Sequence, residues 1–226
     1  MKTVVSVLIV CLSVLTGYSQ QSEDRSVGSF TGIKAGEAID VYLKKGSRES
    51  VRVETTGTSP SNVLTEISGS YLKIHMKDGR YRNQSVKVYV TYVNLDRIHA
   101  SSAANIFSEG PITSQSMEIS ASSAASVEIS IKAGTVVLEV SSAGDIVLEG
   151  SANTLELEVS SAGEIDAYEL ACENVRAEAS SAGSAKISVS KELNARASSG
   201  GSIRYRGTPT RTNTDSSSGG SVKKSN

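Results

Sequence analysis

Leu138-Glu139-Val140-Ser141-Ser142-Ala143-Gly144-Asp145-Ile146-Val147-Leu148 returns nineteen residues later as Leu157-Glu158-Val159-Ser160-Ser161-Ala162-Gly163-Glu164-Ile165-Asp166-Ala167. In both segments a tetrapeptide of small residues separates two stretches in which apolar and polar residues alternate. The tetrapeptide also reads Ser101-Ser102-Ala103-Ala104, Ser122-Ser123-Ala124-Ala125, Ser180-Ser181-Ala182-Gly183, Ser198-Ser199-Gly200-Gly201 and Ser217-Ser218-Gly219-Gly220. Start-to-start spacings are 21, 19, 19, 20, 18 and 19 residues. Seven copies at a nearly fixed period indicate a solenoid, in which each repeat is one structural unit stacked on the next.

Aligned on the tetrapeptide, the flanking positions form columns. Three residues before it stand Ile98, Ile119, Leu138, Leu157, Ala177, Ala195 and Thr214. Five after its first serine stand Ile106, Val127, Ile146, Ile165, Ala185, Ile203 and Val222. The residues between are polar, among them Glu128, Glu139, Glu158, Asp166, Glu178 and Lys186. Alternation at period two marks strands with one buried face. The pattern predicts an all-β chain, a single-stranded parallel β-helix with coils of about 19 residues. Each coil is read as strand, tight corner, second strand and looser return. Glycine can take positive φ without a Cβ penalty, so Gly144, Gly163, Gly183, Gly201 and Gly220 are expected to supply the left-handed corner positions. A leucine-rich repeat lacks its Leu-x-x-Leu-x-Leu frame here, and a hexapeptide β-helix would repeat an aliphatic residue every six positions.

Residues 27–97 lack the tetrapeptide but carry strand-like runs at 39–43, 51–54, 71–76 and 86–93, with a short helical turn expected within 61–67. They are read as irregular N-terminal coils that cap the stack, with regular repeats over 98–222. No linker separates the two, so 20–226 is one domain. Ahead of it, Lys2, the apolar run 4–15 and Thr16-Gly17-Tyr18-Ser19 have the three parts of a secretory signal peptide, with cleavage expected between Ser19 and Gln20. The run is too short to span a bilayer as a helix. Cys11 lies inside it behind Val10, where a lipoprotein signal requires a small residue. The expected location is the periplasm, the outer surface or the exterior.

Without Lys2 the chain has 22 basic and 24 acidic residues, a net charge of −2, which argues against nucleic acid as a partner. Only Cys172 lies beyond residue 19, so neither an intramolecular disulfide nor a cysteine metal cluster is expected. With no tryptophan and two phenylalanines, the core must be aliphatic.

Three stretches carry a family resemblance: Phe30-Thr31-Gly32-Ile33 with Ala38-Ile39-Asp40-Val41-Tyr42-Leu43, Gly69-Ser70-Tyr71-Leu72-Lys73-Ile74, and Val90 through Ile98 leading into Ser101-Ser102-Ala103-Ala104-Asn105-Ile106. Over roughly 27–206 the chain resembles the family of putative auto-transporter adhesins with a head GIN domain, common among secreted proteins of Bacteroidetes. Ser-Ser-Ala-Gly stands where that family is richer in Gly-Ser-Gly. The resemblance implies a β-helix and suggests adhesion.

Catalytic chemistry has few candidates. His75 and His99 each alternate with apolar neighbours and read as outward, solvated side chains. No Gly-x-Ser-x-Gly elbow, His-Glu-x-x-His or phosphate loop occurs. The enzyme alternative is a polysaccharide lyase or glycoside hydrolase, which needs two suitably spaced carboxyls in a cleft built from long loops. The acidic residues cluster: residues 117–170 hold ten against Lys132 alone, whereas 175–226 hold nine basic and three acidic. Glu139, Glu158 and Glu178 should share one outward column, and Asp145 and Glu164 another. These read as solvated faces partly relieved by Arg176 and Arg196, and as the weak candidates for a Ca²⁺ site. No cofactor is expected. The leading expectation is an exported, non-catalytic adhesive or scaffolding surface with glycans or cell-surface and matrix proteins as partners; the alternative is an enzyme acting on a carbohydrate polymer.

Overall fold

The computed structural model describes residues 20–225, so the signal-peptide reading and Cys11 lie outside the described residues. Among the described residues all regular structure is β apart from one 3₁₀ turn, Pro60–Asn62. The N-terminal strands are β1 (Gln21–Arg25), β2 (Gly32–Ala35), β3 (Asp40–Lys45), β4 (Ser50–Thr56), β5 (Val63–Ser68), β6 (Tyr71–Met76) and β7 (Ser85–Tyr92). The regular part continues with β8 (Arg97–Ala100), β9 (Asn105–Ser108), β10 (Ile112–Ala121), β11 (Ser126–Val140), β12 (Asp145–Val159), β13 (Glu164–Ala179) and β14 (Ser184–Ala197). It ends with β15 (Ser202–Arg206), β16 (Arg211–Ser216) and β17 (Ser221–Lys224).

Period-two alternation puts every second side chain inside, and parallel pairing then stacks like on like. Ile33, Ile98, Ile119, Leu138, Leu157, Ala177 and Ala195 follow one another up the stack, and none is more than 4% exposed. Beyond the corner Val41, Ile106, Val127, Ile146, Ile165, Ala185 and Ile203 do the same. Cys172 is one of these core residues, and burial pushes its thiol up to about 12. The return limb is not loose: β11, β12, β13 and β14 each run unbroken from one corner to the next. In the last coil Thr212, Thr214 and Ser216 stand over Leu193, Ala195 and Ala197, so the apolar column finishes under hydroxyls.

The corners depart from expectation. Positive φ falls on the second and third residues of the tetrapeptide, from Ser102 (51°) and Ala103 (61°) through Ser181 (47°) and Ala182 (61°). The fourth N–H donates to the first carbonyl, as Gly144 does to Ser141 at 2.9 Å. This is a type I′ turn. None of Gly144, Gly163, Gly183, Gly201 and Gly220 supplies a left-handed position. An added Cβ on Gly144, Gly183, Gly201 and Gly220 would meet the backbone oxygen of Ala121, Val159, Ala179 and Ala197 at 2.5, 2.7, 2.4 and 2.3 Å, and one on Gly163 would meet the Val140 side chain at 2.7 Å. Glycine is there because the chain beneath is close.

What holds Ser and Ala in the left-handed region is the neighbouring turn. The third residue of each corner donates its N–H to the second residue of the next: Ala103 to Ser123, Ala124 to Ser142, Ala143 to Ser161, Ala162 to Ser181 and Ala182 to Ser199, at 3.0–3.1 Å. The ladder begins one corner earlier than the tetrapeptide. Gly36-Glu37-Ala38-Ile39 has φ of 62° at Glu37 and 56° at Ala38, and Ala38 donates to the Ser102 carbonyl at 2.9 Å.

The N-terminal part caps the stack, but its layers are not laid in chain order. β2 and β3 form a coil directly beneath β8 and β9. The chain then leaves, and β6 and β7 return as the layer on the other side of β2 and β3. Antiparallel strands complete this end, with β5 on β6, β4 on β7 and β1 on β4. The helical turn expected within 61–67 is the 3₁₀ turn at Pro60–Asn62, one residue earlier, and Val63 onward is strand.

Ile165 lies fully buried between Ile146 and Ala185, while its neighbour Glu164 is outward, between Asp145 and Ser184. Ile165→Asp should cost several kcal/mol by burying an unpaired carboxylate. Glu164→Gln should cost less than about 1 kcal/mol, because it loses only an exposed ion pair with Lys186. Urea melts of the two variants measure the contrast. Equal midpoints would contradict the register.

Candidate binding faces

Every outward column is a ladder of side chains at the parallel-strand spacing of about 4.8 Å. Just before the corner one such column reads Lys73, Lys34, His99, Ser120, Glu139, Glu158, Glu178, Arg196, Asp215. The three stacked glutamates are as expected. Arg176 lies 3.0 Å from Glu178 along its own strand, and Arg196 stacks beside the same residue. Glu139 and Glu158 have neither hydrogen bond nor ion pair among the described residues.

His99 is not the solvated side chain that alternation suggested. It is half-buried, and its Nδ1 shares a hydrogen bond with the Ser120 hydroxyl on the next coil. Burial first, and Lys34 second, hold its imidazole below the usual range. At the lower end of the column the Tyr71 ring lies flat over Gly32, where a Cβ would meet it at 2.6 Å. The Lys34 ammonium lies 4.4 Å and the Arg97 guanidinium 4.9 Å from the ring centroid. Arg97 is fixed by Asp96, Thr31 and Ser70 at 3.0–3.1 Å. Lys34, Tyr71, Arg97, His99 and Ser120, with Ser122, Ser141 and Ser160 along the rim, line an axial trough of about 520 Å³. His75, by contrast, is partly exposed, with Nε2 3.9 Å from Glu66.

On the other side of the corner Asn105, Ser126, Asp145, Glu164, Ser184 and Ser202 share a column. Asp145 and Glu164 are adjacent in it, as expected. Partial burial and then the charge of Glu164 raise the Asp145 carboxyl. Lys186 answers the excess charge, reaching Glu164 at 2.9 Å and Asp166 at 3.2 Å. Two residues further from the corner the outward column begins with stacked rings, Tyr89 on Tyr42 at 5.2 Å and Tyr42 on Phe107 at 5.3 Å. It continues through Glu128, Val147, Asp166, Lys186, Arg204 and Lys223.

The calcium candidates therefore fall on two separate columns: Glu139, Glu158 and Glu178 before the corner, Asp145 and Glu164 after it. Among the described residues no three His, Cys, Asp or Glu side chains converge in a geometry that would hold a metal ion. Sequence reasoning missed the His99–Ser120 contact and the two cations on the Tyr71 ring, because both depend on which coils are neighbours and not on local pattern.

This arrangement of coils can be set against known proteins. The profile of a family described as putative auto-transporter adhesin, head GIN domain, matches residues 29–209. The chain belongs to this adhesin family. Its fold is shared by solved structures of similar size. A putative adhesin from Bacteroides fragilis NCTC 9343 superposes with a TM-score of 0.79 at 19% identity, covering 92% of this chain and 98% of that one. A putative adhesin from Parabacteroides merdae ATCC 43184 gives 0.71 at 18% identity, with 92% and 96% covered. A protein from Parabacteroides distasonis ATCC 8503 described as a putative lipid binding protein gives 0.65 at 18% identity, with 92% and 97% covered. Comparison with curated proteins finds no match.

Asp145 gives the faces a pH dependence. A carboxyl raised in the folded state is a stability cost that appears as pH rises through the gap between its unfolded and folded values. Asp145→Asn should therefore raise the melting temperature near pH 7, and the gain should disappear in acid, below about pH 4. Thermal melts across pH test this. A gain that persists unchanged in acid would contradict it.

Proposed function

We propose that this member of the adhesin family is an exported, non-catalytic adhesive or scaffolding protein of the bacterial envelope, acting in the periplasm, on the outer surface or outside the cell. One observation carries the reading. The fold turns single residues into axial ladders of polar groups on a backbone fixed by its neighbours, and many of those groups have no internal partner. The carboxylates of Glu118, Glu139 and Glu158 in the trough make no hydrogen bond or ion pair among the described residues and face solvent. A rigid array of polar groups bonded only to water binds an extended partner with little ordering cost. Glycans and cell-surface or matrix proteins are the partners that such a surface fits, and the family description supports adhesion.

The alternative, a carbohydrate-polymer lyase or hydrolase, draws on Asp145, whose proton affinity is raised beside Glu164. That pair stands on the shoulder of the corner, outside both of the large grooves. Glycosidase chemistry needs its two carboxyls to flank a bound sugar chain. Lys186 is also already committed to the acids of this shoulder.

Glycan and matrix-protein arrays probed with the purified mature chain, followed by assays of reducing-end release from each bound polymer, separate the readings. Retention without turnover is expected. Turnover that vanishes in Asp145→Asn or Glu164→Gln would contradict the non-catalytic reading.

A further inference from the structure

The nineteen-residue rhythm gains residues twice, and both insertions come to rest on one outward face. The first spacing is 21. Phe107 pairs with Glu128 and Ile112 with Ile131, so the two extra residues lie in Ser108-Glu109-Gly110-Pro111. The spacing from Ser160 to Ser180 is 20. Here Val147 pairs with Asp166 and Glu149 with Glu169, so the extra residue is a bulge in β13. Buried Ala167 and Leu170 are separated by two residues, Tyr168 and Glu169, both directed outward, where β12 has Glu149 alone. Bulges in regular sheets re-aim side chains, often next to a site.

The loop and the bulge form the two walls of an open groove of about 500 Å³, within the range of small-molecule sites. The Tyr168 wall is braced. Arg206 lies over its ring at 3.9 Å, its hydroxyl shares a 2.8 Å hydrogen bond with Ser225, and its carbonyl accepts from Ser188 at 2.6 Å. The opposite loop is tied down where the Ser130 N–H donates to the Ser108 hydroxyl at 3.0 Å. Between the walls the floor carries Val147, which is 37% exposed. Glu128 and Glu149 flank it with no hydrogen bond or ion pair among the described residues.

We propose that this groove is a binding site for a glycan segment without acidic groups, an assignment that rests on the adhesive reading and gives it a place. Carboxylates only accept hydrogen bonds, so Glu128 and Glu149 call for a ligand rich in donors. Of the four carboxylates on the lining, Asp166 is answered by Lys186 and Glu169 by Arg206, so Glu128 and Glu149 leave the groove net negative and repel sulfated or uronate sugars. A purely apolar ligand would strip water from those carboxylates without replacing its hydrogen bonds. A pyranose satisfies both demands, with hydroxyl donors on its rim and a C–H face for Val147 and the Tyr168 wall. A peptide strand has little free edge to pair with, because β11, β12 and β13 are paired on both sides except at 129–130 and 168–170, where the Ser108 and Ser188 hydroxyls already bond the Ser130 N–H and the Tyr168 carbonyl.

The mature chain would be titrated with neutral and amine-bearing oligosaccharides, with uronate and sulfated ones, and with matrix proteins. Val147→Arg fills the floor from the outside, Glu149→Gln removes one acceptor charge, Glu139→Gln reports on the trough, and Glu192→Gln, exposed and outside both grooves, is the comparison. Melting curves establish that each variant is folded, and Glu149→Gln carries the test if Val147→Arg is not. Neutral or amine-bearing oligosaccharides should bind, with affinity falling roughly tenfold or more in Val147→Arg and less in Glu149→Gln, and unchanged in Glu192→Gln. Binding lost in Glu139→Gln but kept in Val147→Arg would overturn this groove and leave the adhesive reading standing. Preference for uronate or sulfated sugars, or binding of matrix proteins alone, would overturn the ligand class. Retention of no glycan and no matrix protein would overturn the adhesive reading itself.

Discussion

The hydrogen bond from one corner to the next is the contact on which this structure depends. Serine and alanine in the left-handed region cost about 1–2 kcal/mol each, and the corners ask this of two residues per coil. An isolated type I′ turn of Ser-Ala would open. Each corner here receives its 4→1 bond and also a bond from the third N–H to the adjacent turn, contacts of about 0.5–1.5 kcal/mol apiece. The strained conformation is thus tolerated because it is repeated. The same repetition fixes register, since a corner held at both ends of the ladder cannot slip without breaking bonds above and below.

Once register is fixed, side-chain direction follows everywhere. Inward columns of Ile, Val, Leu and Ala fill the space that aromatic residues fill in other cores, and close stacking excludes a Cβ at Gly144, Gly183, Gly201 and Gly220. Outward columns bring like charges together at Glu139, Glu158 and Glu178. Stacked like charges are unfavourable, and the chain tolerates them by leaving them in solvent or setting Arg176, Arg196 and Lys186 beside them. The surface chemistry of this adhesin-family member is therefore a consequence of the corner geometry.

Much of this was legible in sequence because a fixed period converts sequence spacing into spatial adjacency. Ile165 and Glu164 could be assigned to opposite faces from alternation alone, and Asp145 and Glu164 to one column from alignment alone. Three things were not legible. Glycine at the fourth corner position looks like a demand on φ, yet it answers a steric demand made by the chain beneath. Gly36-Glu37-Ala38-Ile39 makes the same turn without the small-residue signature, since Glu37 is stabilised by tertiary contact, its carboxylate accepting the Met76 N–H at 2.6 Å. The layer order of β6, β2 and β8 leaves no local trace, because parallel partners are set by the path of the chain and not by composition. For the same reason the spacings of 21 and 20 were visible as irregularities but not as two walls of one groove.

The corner ladder can be tested directly by native-state hydrogen exchange at the amides of Ala143, Ala162 and Ala182. Their side chains lie on the exposed ridge, but their N–H groups donate to Ser161, Ser181 and Ser199 at 3.1 Å. The account predicts that these three amides exchange as slowly as those of the flanking strands, opening only when coils separate. Exchange at the rate of an unstructured turn would mean that the corners are not bonded to one another, and that the stack is held by its apolar columns alone.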